Sequence, residues 1–133
     1  MSLVWGALLN YAVPMSVYVD TARHPFRGYI MCHMVADSLD ELHNMADQIG
    51  MERRWFQAPP KASHPHYDIP ESKRARALAL GAQEVCQRTG LHYAARLGVE
   101  WACAEADVVR QKKYERTLAR TQVYALSQDR AVK

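Results

Sequence analysis

Apolar side chains recur at helical spacing between Ser38 and Gly50. Ser38 and Glu41 have the spacing of a capping box, in which the two side chains satisfy N–H groups at the helix start. The apolar positions within this stretch are Leu39, Leu42, Met45, Ala46 and Ile49. Gly50 follows these positions, and glycine is the residue type at which helices commonly end. The pattern therefore predicts an amphipathic helix.

Two runs rich in β-branched and aromatic residues precede this helix. Residues 16–19 form the first run, with Asp20 at its end, and residues 29–36 form the second, after the turn residue Gly28. This composition predicts two strands. The loop between them contains two arginines, Arg23 and Arg27.

Strand and helix signals continue to alternate after the predicted helix. Residues 53–57 predict an extended segment whose aromatic side chains help to form the core. Residues 70–81 predict a helix that begins at Pro70, and residues 83–87 predict a strand. The order β-β-α-β-α-β predicts an α/β fold, a small mixed sheet with helices packed on it.

Beyond residue 90 the chain is rich in helix formers and has no proline, although Gly98 interrupts the run. This composition predicts a helical C-terminal arm. We therefore predict a non-core N-terminal extension (residues 1–14), an α/β core domain (15–90) and a helical C-terminal extension (91–133).

Length and composition favour one cytoplasmic domain. A chain of 133 residues, 49% of them hydrophobic and 23% charged, is typical of a folded protein with a single core. No apolar run approaches the roughly 18 residues that cross a bilayer, so no membrane association is expected. The apolar N-terminal segment lacks the basic region and cleavage site of a signal peptide. Three cysteines without metal-ligand spacing indicate reduced thiols.

The strongest candidate for chemistry is the tripeptide His66-Tyr67-Asp68, which lies between a proline-containing loop and the predicted helix at Pro70. An imidazole and a carboxylate two residues apart in a turn can converge on one ligand or metal ion. Asp68 also has a structural alternative as the N-cap of that helix, where it would accept backbone N–H groups.

Asp20, His33 and His43 lie where other predicted elements begin or end, which is where α/β folds place their sites. We predict that His33, His43 and His66 face one cleft within reach of Asp20 or Asp68, and these five residues are the catalytic candidates. The alternatives are a half-buried strand histidine for His33 and the edge of the apolar stripe for His43.

A divalent metal such as zinc, manganese or iron suits imidazole and carboxylate ligands. We expect two or three of His33, His43, His66 and Asp68 to bind it, although neither an HExxH motif nor a paired HD motif is present.

Four other residues are candidates for ligand binding. Arg23 and Arg74 suit a phosphate group, and Trp55 and Tyr67 suit stacking on bases. Two basic clusters can contact phosphates, but such clusters are more often solvated helix faces. Their members are Lys73, Arg74, Arg76, Arg110, Lys112 and Lys113.

Three function classes fit these residues: metal-dependent hydrolysis, metal-free acid–base catalysis, and a binding module. No glycine-rich phosphate loop, nucleophile elbow or dinucleotide fingerprint is present, which argues against kinases, serine hydrolases and Rossmann enzymes. We expect hydrolysis of a phosphate-bearing ligand, such as a nucleotide or a nucleic-acid end. The alternative is a non-enzymatic module that binds nucleic acid or protein through the basic second helix and the C-terminal arm.

Several motifs, in this order and spacing, resemble one family. They include Tyr18-Val19-Asp20, Glu41-Leu42-His43 and His66-Tyr67-Asp68. The family comprises small bacterial and phage proteins catalogued only as a domain of unknown function, and the resemblance covers about residues 15–87. It implies a small cytoplasmic protein and no established activity.

Overall fold

The computed structural model describes residues 16–131, with their side chains except at position 124 and positions 126–131. The predicted N-terminal extension, residues 1–14, lies outside the described residues. The strands are β1 (Val17–Val19), β2 (His24–Phe26), β3 (Tyr29–Ala36), β4 (Tyr67–Pro70) and β5 (Gln83–Glu84). The helices are α1 (Leu39–Ile49), α2 (Glu71–Ala79), α3 (Gln87–Ala104) and α4 (Val108–Ala131). No helix in this part of the chain is long and apolar enough to cross a membrane.

The predicted α/β class, with a mixed sheet and a helical C-terminal segment, is confirmed. The α1 helix starts as the capping box requires, because the Ser38 hydroxyl accepts the Glu41 N–H at 3.2 Å. It ends at Gly50, whose φ of 80° lies in the left-handed region that suits glycine. Leu42, Met45 and the neighbouring apolar residues are buried, at roughly 1.5–3 kcal/mol for each large side chain.

Two predictions about the middle of the chain are wrong. Residues 53–57 are not extended, since Arg53–Trp55 is a short 3-10 helix and the Trp55 side chain is 51% exposed. The extended segment comes later, at Tyr67–Pro70, where the sequence had predicted a turn. Tyr67 and Asp68 of the predicted tripeptide therefore lie on a strand, and His66 directly precedes it.

The long strand β3 organises the sheet. β1 and β2 both pair with it antiparallel along one edge, and β4 pairs with it antiparallel along the other. Met34 pairs with residues of both β1 and β4, which shows that these two strands lie on opposite sides of β3. β5 adds to the outer edge of β1 in parallel orientation.

A bulge separates β1 from β2. The four residues 20–23 lie opposite only Cys32 and His33, because Val19 pairs with Met34 while His24 pairs with Met31. An uninterrupted continuation of β1 would set His24 opposite Tyr29. The two extra residues therefore bring His24 about 7 Å closer to His33 along the strand.

The sheet has two unequal faces. One carries Val19, Met34 and Ile69 against α1 and α2, and these residues belong to the main core. On the other face α3 covers one end of the sheet, where Tyr93 stacks on Tyr18 with ring centroids 3.7 Å apart. His33 lies on this second face and its side chain is only partly buried. This face is where the candidate site forms.

The helical C-terminal segment is two helices, and Gly98 lies inside α3 rather than interrupting it. Tyr93, Ala94 and Leu97 of α3 belong to the main core, so the division predicted at residue 90 falls within this helix. The Tyr114 hydroxyl of α4 donates to the Ser63 carbonyl at 2.7 Å. The last helix thereby contacts the loop that leads into β4.

Gly98 provides a test of how α3 and α4 pack. A Cβ at this position would lie 2.7 Å from the Tyr114 ring. Alanine for glycine inside a helix normally gains about 1 kcal/mol, but here we expect Gly98→Ala to lose about 1–3 kcal/mol of unfolding free energy through overpacking. Urea denaturation measures the difference.

Tyr114→Leu is the matched second substitution. In that background the cost of Gly98→Ala should largely disappear, because the ring that the new methyl group meets is gone. A Gly98→Ala protein as stable as wild type would contradict the packing of these two helices.

Candidate functional site

His33 is held on β3 by Asp20. The Asp20 Oδ1 atom accepts the backbone N–H groups of Ala22 at 3.1 Å and of His33 at 3.0 Å. Its Oδ2 atom lies 2.7 Å from Nδ1 of His33. Because an ionised carboxylate only accepts, Nδ1 carries the proton and Nε2 keeps its lone pair. Asp20 thus fixes both the orientation and the tautomer of His33.

His66 is oriented in the same way by a backbone carbonyl. A two-way backbone pair with Gln57, at 2.9 and 3.0 Å, fixes its position just before β4. Its Nδ1 atom lies 2.9 Å from the His64 carbonyl, to which it donates. The Nε2 atom of His66 is therefore the ring nitrogen that faces Asp68. Beside it in sequence, Asp68 accepts a hydrogen bond from the Gln57 side chain at 2.8 Å.

Three imidazoles converge on one oxygen of Asp68. Its Oδ1 atom lies 3.3 Å from Nε2 of His66, 3.7 Å from Nε2 of His33 and 3.8 Å from Nε2 of His24. Asp68 pairs with His33 across β3 and β4, and His24 arrives on the same face through β2. We call these four residues, His24, His33, His66 and Asp68, the His/Asp cluster.

Two atoms at the centre of this cluster are buried without a partner. Neither Oδ1 of Asp68 nor Nε2 of His24 makes a hydrogen bond to any described residue, although each is shielded from solvent. His66 lies close to Oδ1 but lacks hydrogen-bond alignment. An unpaired buried polar atom costs about 1–3 kcal/mol, and more when it is charged. Native structures rarely leave such atoms unpaired unless a ligand completes them.

The spacing within the cluster is close to that of a metal-binding site. Ligand atoms about 2.0–2.2 Å from a tetrahedral zinc ion lie about 3.3–3.6 Å from one another. One ligand atom each from His24, His33 and Asp68 lies within 4.8 Å of the other two. The distances from Oδ1 of Asp68 to Nε2 of His33 and His24, 3.7 and 3.8 Å, are slightly longer than this spacing.

The electrostatics keep the acids charged. Burial favours the neutral form of Asp68, but His66 and Gln57 outweigh it and lower its pKa to about 2. Burial likewise opposes ionisation of Asp20, yet its hydrogen bonds with His33 hold the pKa of this carboxyl below its ordinary value. The same Asp20 contact raises the pKa of His33. The site thus contains two carboxylates among several imidazoles.

The structure brings together four of the five residues predicted to share a cleft. Asp20, His33, His66 and Asp68 are neighbours, with Asp20 acting through His33 rather than facing the centre. The structural alternative for Asp68 is wrong, because the helix that follows begins after Pro70 with no side-chain cap. Asp68 accepts instead from Gln57.

His43 does not face this cleft, and that prediction is wrong. Its Nδ1 atom lies 2.8 Å from the Tyr67 hydroxyl, and its ring packs edge-on against Phe56. Tyr67 alternates with Asp68 along β4 and so points to the opposite face of the sheet. Tyr67 itself is fully buried, which removes it as a residue on which a base could stack.

The two arginines predicted to hold a phosphate lie elsewhere. Arg23 pairs with Glu71 at 2.5 Å and Arg74 with Glu84 at 2.7 Å. Both line a cavity beside α2 that does not include the His/Asp cluster's histidines or Asp68. Arg74 also donates to the Asp20 carbonyl at 3.2 Å, which supports the bulge rather than an open site.

Trp55, by contrast, lies next to the cluster. It lines a groove of about 650 Å³ that also includes His24, Gln57 and Asp68. The expectation that Trp55 stacks on a ligand stays a prediction, and the groove gives it the required exposure.

His24 and Gln57 were missed from the sequence. His24 reaches the cluster only because β2 and β3 form a hairpin across Arg27 and Gly28. A two-residue turn signal between alternating residues could have revealed this register and placed His24 diagonally from His33. Nothing local in the sequence marks Gln57.

His43 supplies a test of pH dependence away from the cluster. Burial, together with the nearby Arg53, holds its pKa below the ordinary value. Such a histidine contributes stability above its unfolded pKa of about 6.5, and this contribution is lost as the pH falls through the folded pKa. We expect the unfolding free energy of wild type to fall more between about pH 7 and about pH 5 than that of His43→Gln. Equal slopes in urea denaturation would contradict this assignment.

The comparisons with known proteins concern the part of the chain that holds the cluster. Residues 17–97 match the model of a family described as "Protein of unknown function (DUF4031)". None of the curated proteins matches, and none of the solved structures matches. The resemblance to an uncharacterised family is confirmed over most of the predicted range. Because the match covers more than half of the chain and every residue of the His/Asp cluster, the protein belongs to this family.

Proposed function

We propose that His24, His33 and Asp68 bind a divalent transition-metal ion and that this centre hydrolyses a phosphate ester. The observation that carries the proposal is the buried, unpaired Oδ1 atom of Asp68, which faces three imidazole Nε2 atoms at 3.3 to 3.8 Å. A buried carboxylate oxygen with no aligned donor among the described residues is well suited to bind a cation.

The ligand types narrow the choice of metal. Imidazole and carboxylate suit zinc, manganese and iron, whereas a magnesium or calcium site would be built mainly from oxygen atoms. Asp20 holds the far nitrogen of His33, an arrangement in which a carboxylate commonly orients a metal-binding histidine. Three protein ligands leave coordination positions open, as catalytic rather than structural sites require.

His66 is the residue assigned to proton transfer. Its Nε2 atom lies 3.3 Å from Oδ1 of Asp68, and its ring is oriented by the His64 carbonyl. At a site held by His24, His33 and Asp68, a bound metal would supply charge stabilisation and a lower pKa for water. Neutral His66 would act as the general base, and its Nε2 atom would accept the proton that the attacking water loses.

Positive charge near the centre favours a phosphate ester as the substrate. The groove that opens onto His24 and Asp68 is also lined by Arg27, Arg54 and Lys61. Cations at the edge of a partly enclosed groove attract and orient anionic groups. A phosphate in the groove would therefore lie between these cations and the metal.

Metal binding is the first test. Protein stripped with a chelator should bind Zn²⁺ in a calorimetric titration, and saturating metal should raise the melting temperature by about 5–10 °C. Asp68→Asn keeps the side-chain shape but loses the charge, and we expect at least about 100-fold weaker binding.

Two matched variants accompany this titration. Asp20→Asn should weaken Zn²⁺ binding by about 10–100-fold, since it removes the charge that orients His33, while the amide oxygen can still accept the backbone N–H groups. His43→Gln, on the opposite face, should bind like wild type. Equal affinity in wild type and Asp68→Asn would show that the metal binds elsewhere.

Hydrolysis is tested separately, with bis(p-nitrophenyl) phosphate as the probe. Zinc- or manganese-loaded protein should release p-nitrophenol, and His66→Gln should lower kcat by about 10²–10⁴-fold while metal affinity changes little. A protein that binds metal normally but hydrolyses no phosphodiester would leave the centre in place and refute the hydrolase assignment.

A further inference from the structure

The exposed aromatic side chains gather in one place. Phe26, Tyr29 and Trp55 are 51%, 60% and 51% exposed. Among the residues whose side chains the structure describes, no other phenylalanine, tyrosine or tryptophan is exposed. All three line the groove beside His24 and Asp68. Aromatic rings left in water cost free energy, so their concentration next to the candidate centre points to a ligand.

The turn between β2 and β3 carries a second signal. Arg27 and Gly28 both have positive φ, 49° and 84°. This is the two-residue hairpin turn that asparagine and glycine favour, and a long side chain such as arginine is strained in it. A strained residue lowers the stability of the fold. The presence of arginine at this position therefore indicates that its guanidinium group binds a ligand in the groove that it lines.

The charge of the groove is complementary to phosphate. Its cations are Arg27, Arg54 and Lys61, and its one acid is Asp68, which the metal would neutralise. Within the set of described side chains, neither Arg27 nor Lys61 forms an ion pair with a carboxylate. Arg54 lies over the Trp55 ring, 5.0 Å from its centroid, and pairs with Glu52.

We propose that this groove binds single-stranded nucleic acid, with bases stacked on Tyr29 and Trp55 and phosphates next to Arg27 and Lys61. Alternation of rings and cations is the arrangement that binds unpaired strands, because every base has a face to stack. The bases of a duplex are already stacked on one another and are not available to these rings.

The inference deepens the proposed function and rests on it for cleavage, since it names the phosphodiester presented to the metal. A groove of about 650 Å³ lies within the range of ordinary ligand pockets, so it holds a few nucleotides rather than a long tract. Binding itself needs no metal and can be measured without it.

The test uses the full chain and fluorescein-labelled oligodeoxythymidine, in EDTA and at low salt, with fluorescence anisotropy as the readout. Trp55→Ala and Tyr29→Ala should each weaken binding by about 5- to 100-fold. Val123→Ala is the matched control, because Val123 is an exposed apolar residue on α4 that does not line the groove. It should bind like wild type. An oligouridine probe in parallel distinguishes RNA from DNA as the source of the same chemistry.

Arg27→Asn is the sharpest variant. Asparagine suits the left-handed turn better than arginine, so the melting temperature should rise while affinity for the oligonucleotide falls by severalfold or more. The double variant Lys112→Ala/Lys113→Ala removes cations from α4 and should bind with the affinity of wild type. If Arg27 had only a structural role, its replacement would not lower the affinity for the oligonucleotide while raising the melting temperature.

Several results would overturn the inference: no binding at low salt, equal affinity for duplex and single strand, or loss of binding in the α4 variant but not in Trp55→Ala. None of them bears on the metal centre, because the oligonucleotide is titrated in EDTA. Conversely, oligonucleotide binding that is normal in Asp68→Asn, together with absent Zn²⁺ binding in wild type, would support the groove and refute the proposed centre.

Discussion

The Asp20 carboxylate is the contact on which the site depends. It accepts two backbone N–H groups and one imidazole N–H, and so closes the bulge between β1 and β2 around His33. The same bulge shifts the pairing of β2 by two residues and brings His24 next to His33, with ring centroids 5.2 Å apart. One acid thereby sets the position of two histidines that are nine residues apart in the sequence.

A second constraint comes from β4. A strand that alternates sides buries Tyr67 and Ile69 in the core and turns His66 and Asp68 to the other face. The core thus determines where the catalytic candidates point, since a slip of one residue would bury the acid and expose the tyrosine. The unpaired Oδ1 atom of Asp68 lowers the free energy of unfolding, and the packing of the core offsets this loss, as is common at binding sites.

The accuracy of the sequence predictions follows the range of the interactions involved. The α1 helix and strand β3 were predicted correctly because a capping box, an apolar stripe and a β-rich run are local signals. Strand β4 is short and ends in proline, so the proline-containing loop before it and the helix start after it led to the prediction of a turn. The position of His24 beside His33 depends on the register of the β2–β3 hairpin. The prediction for His43 was wrong because the sheet face on which α1 packs is a long-range property.

The most direct test of the metal centre is X-ray absorption spectroscopy of the protein loaded with one equivalent of Zn²⁺. The account predicts a four- or five-coordinate ion with scattering from at least two imidazole rings, at zinc–nitrogen distances of about 2.0–2.1 Å, and an oxygen ligand from Asp68. In Asp68→Asn this spectrum should be lost at the same loading. A six-coordinate ion surrounded by water oxygen atoms, without imidazole scattering, would contradict the account.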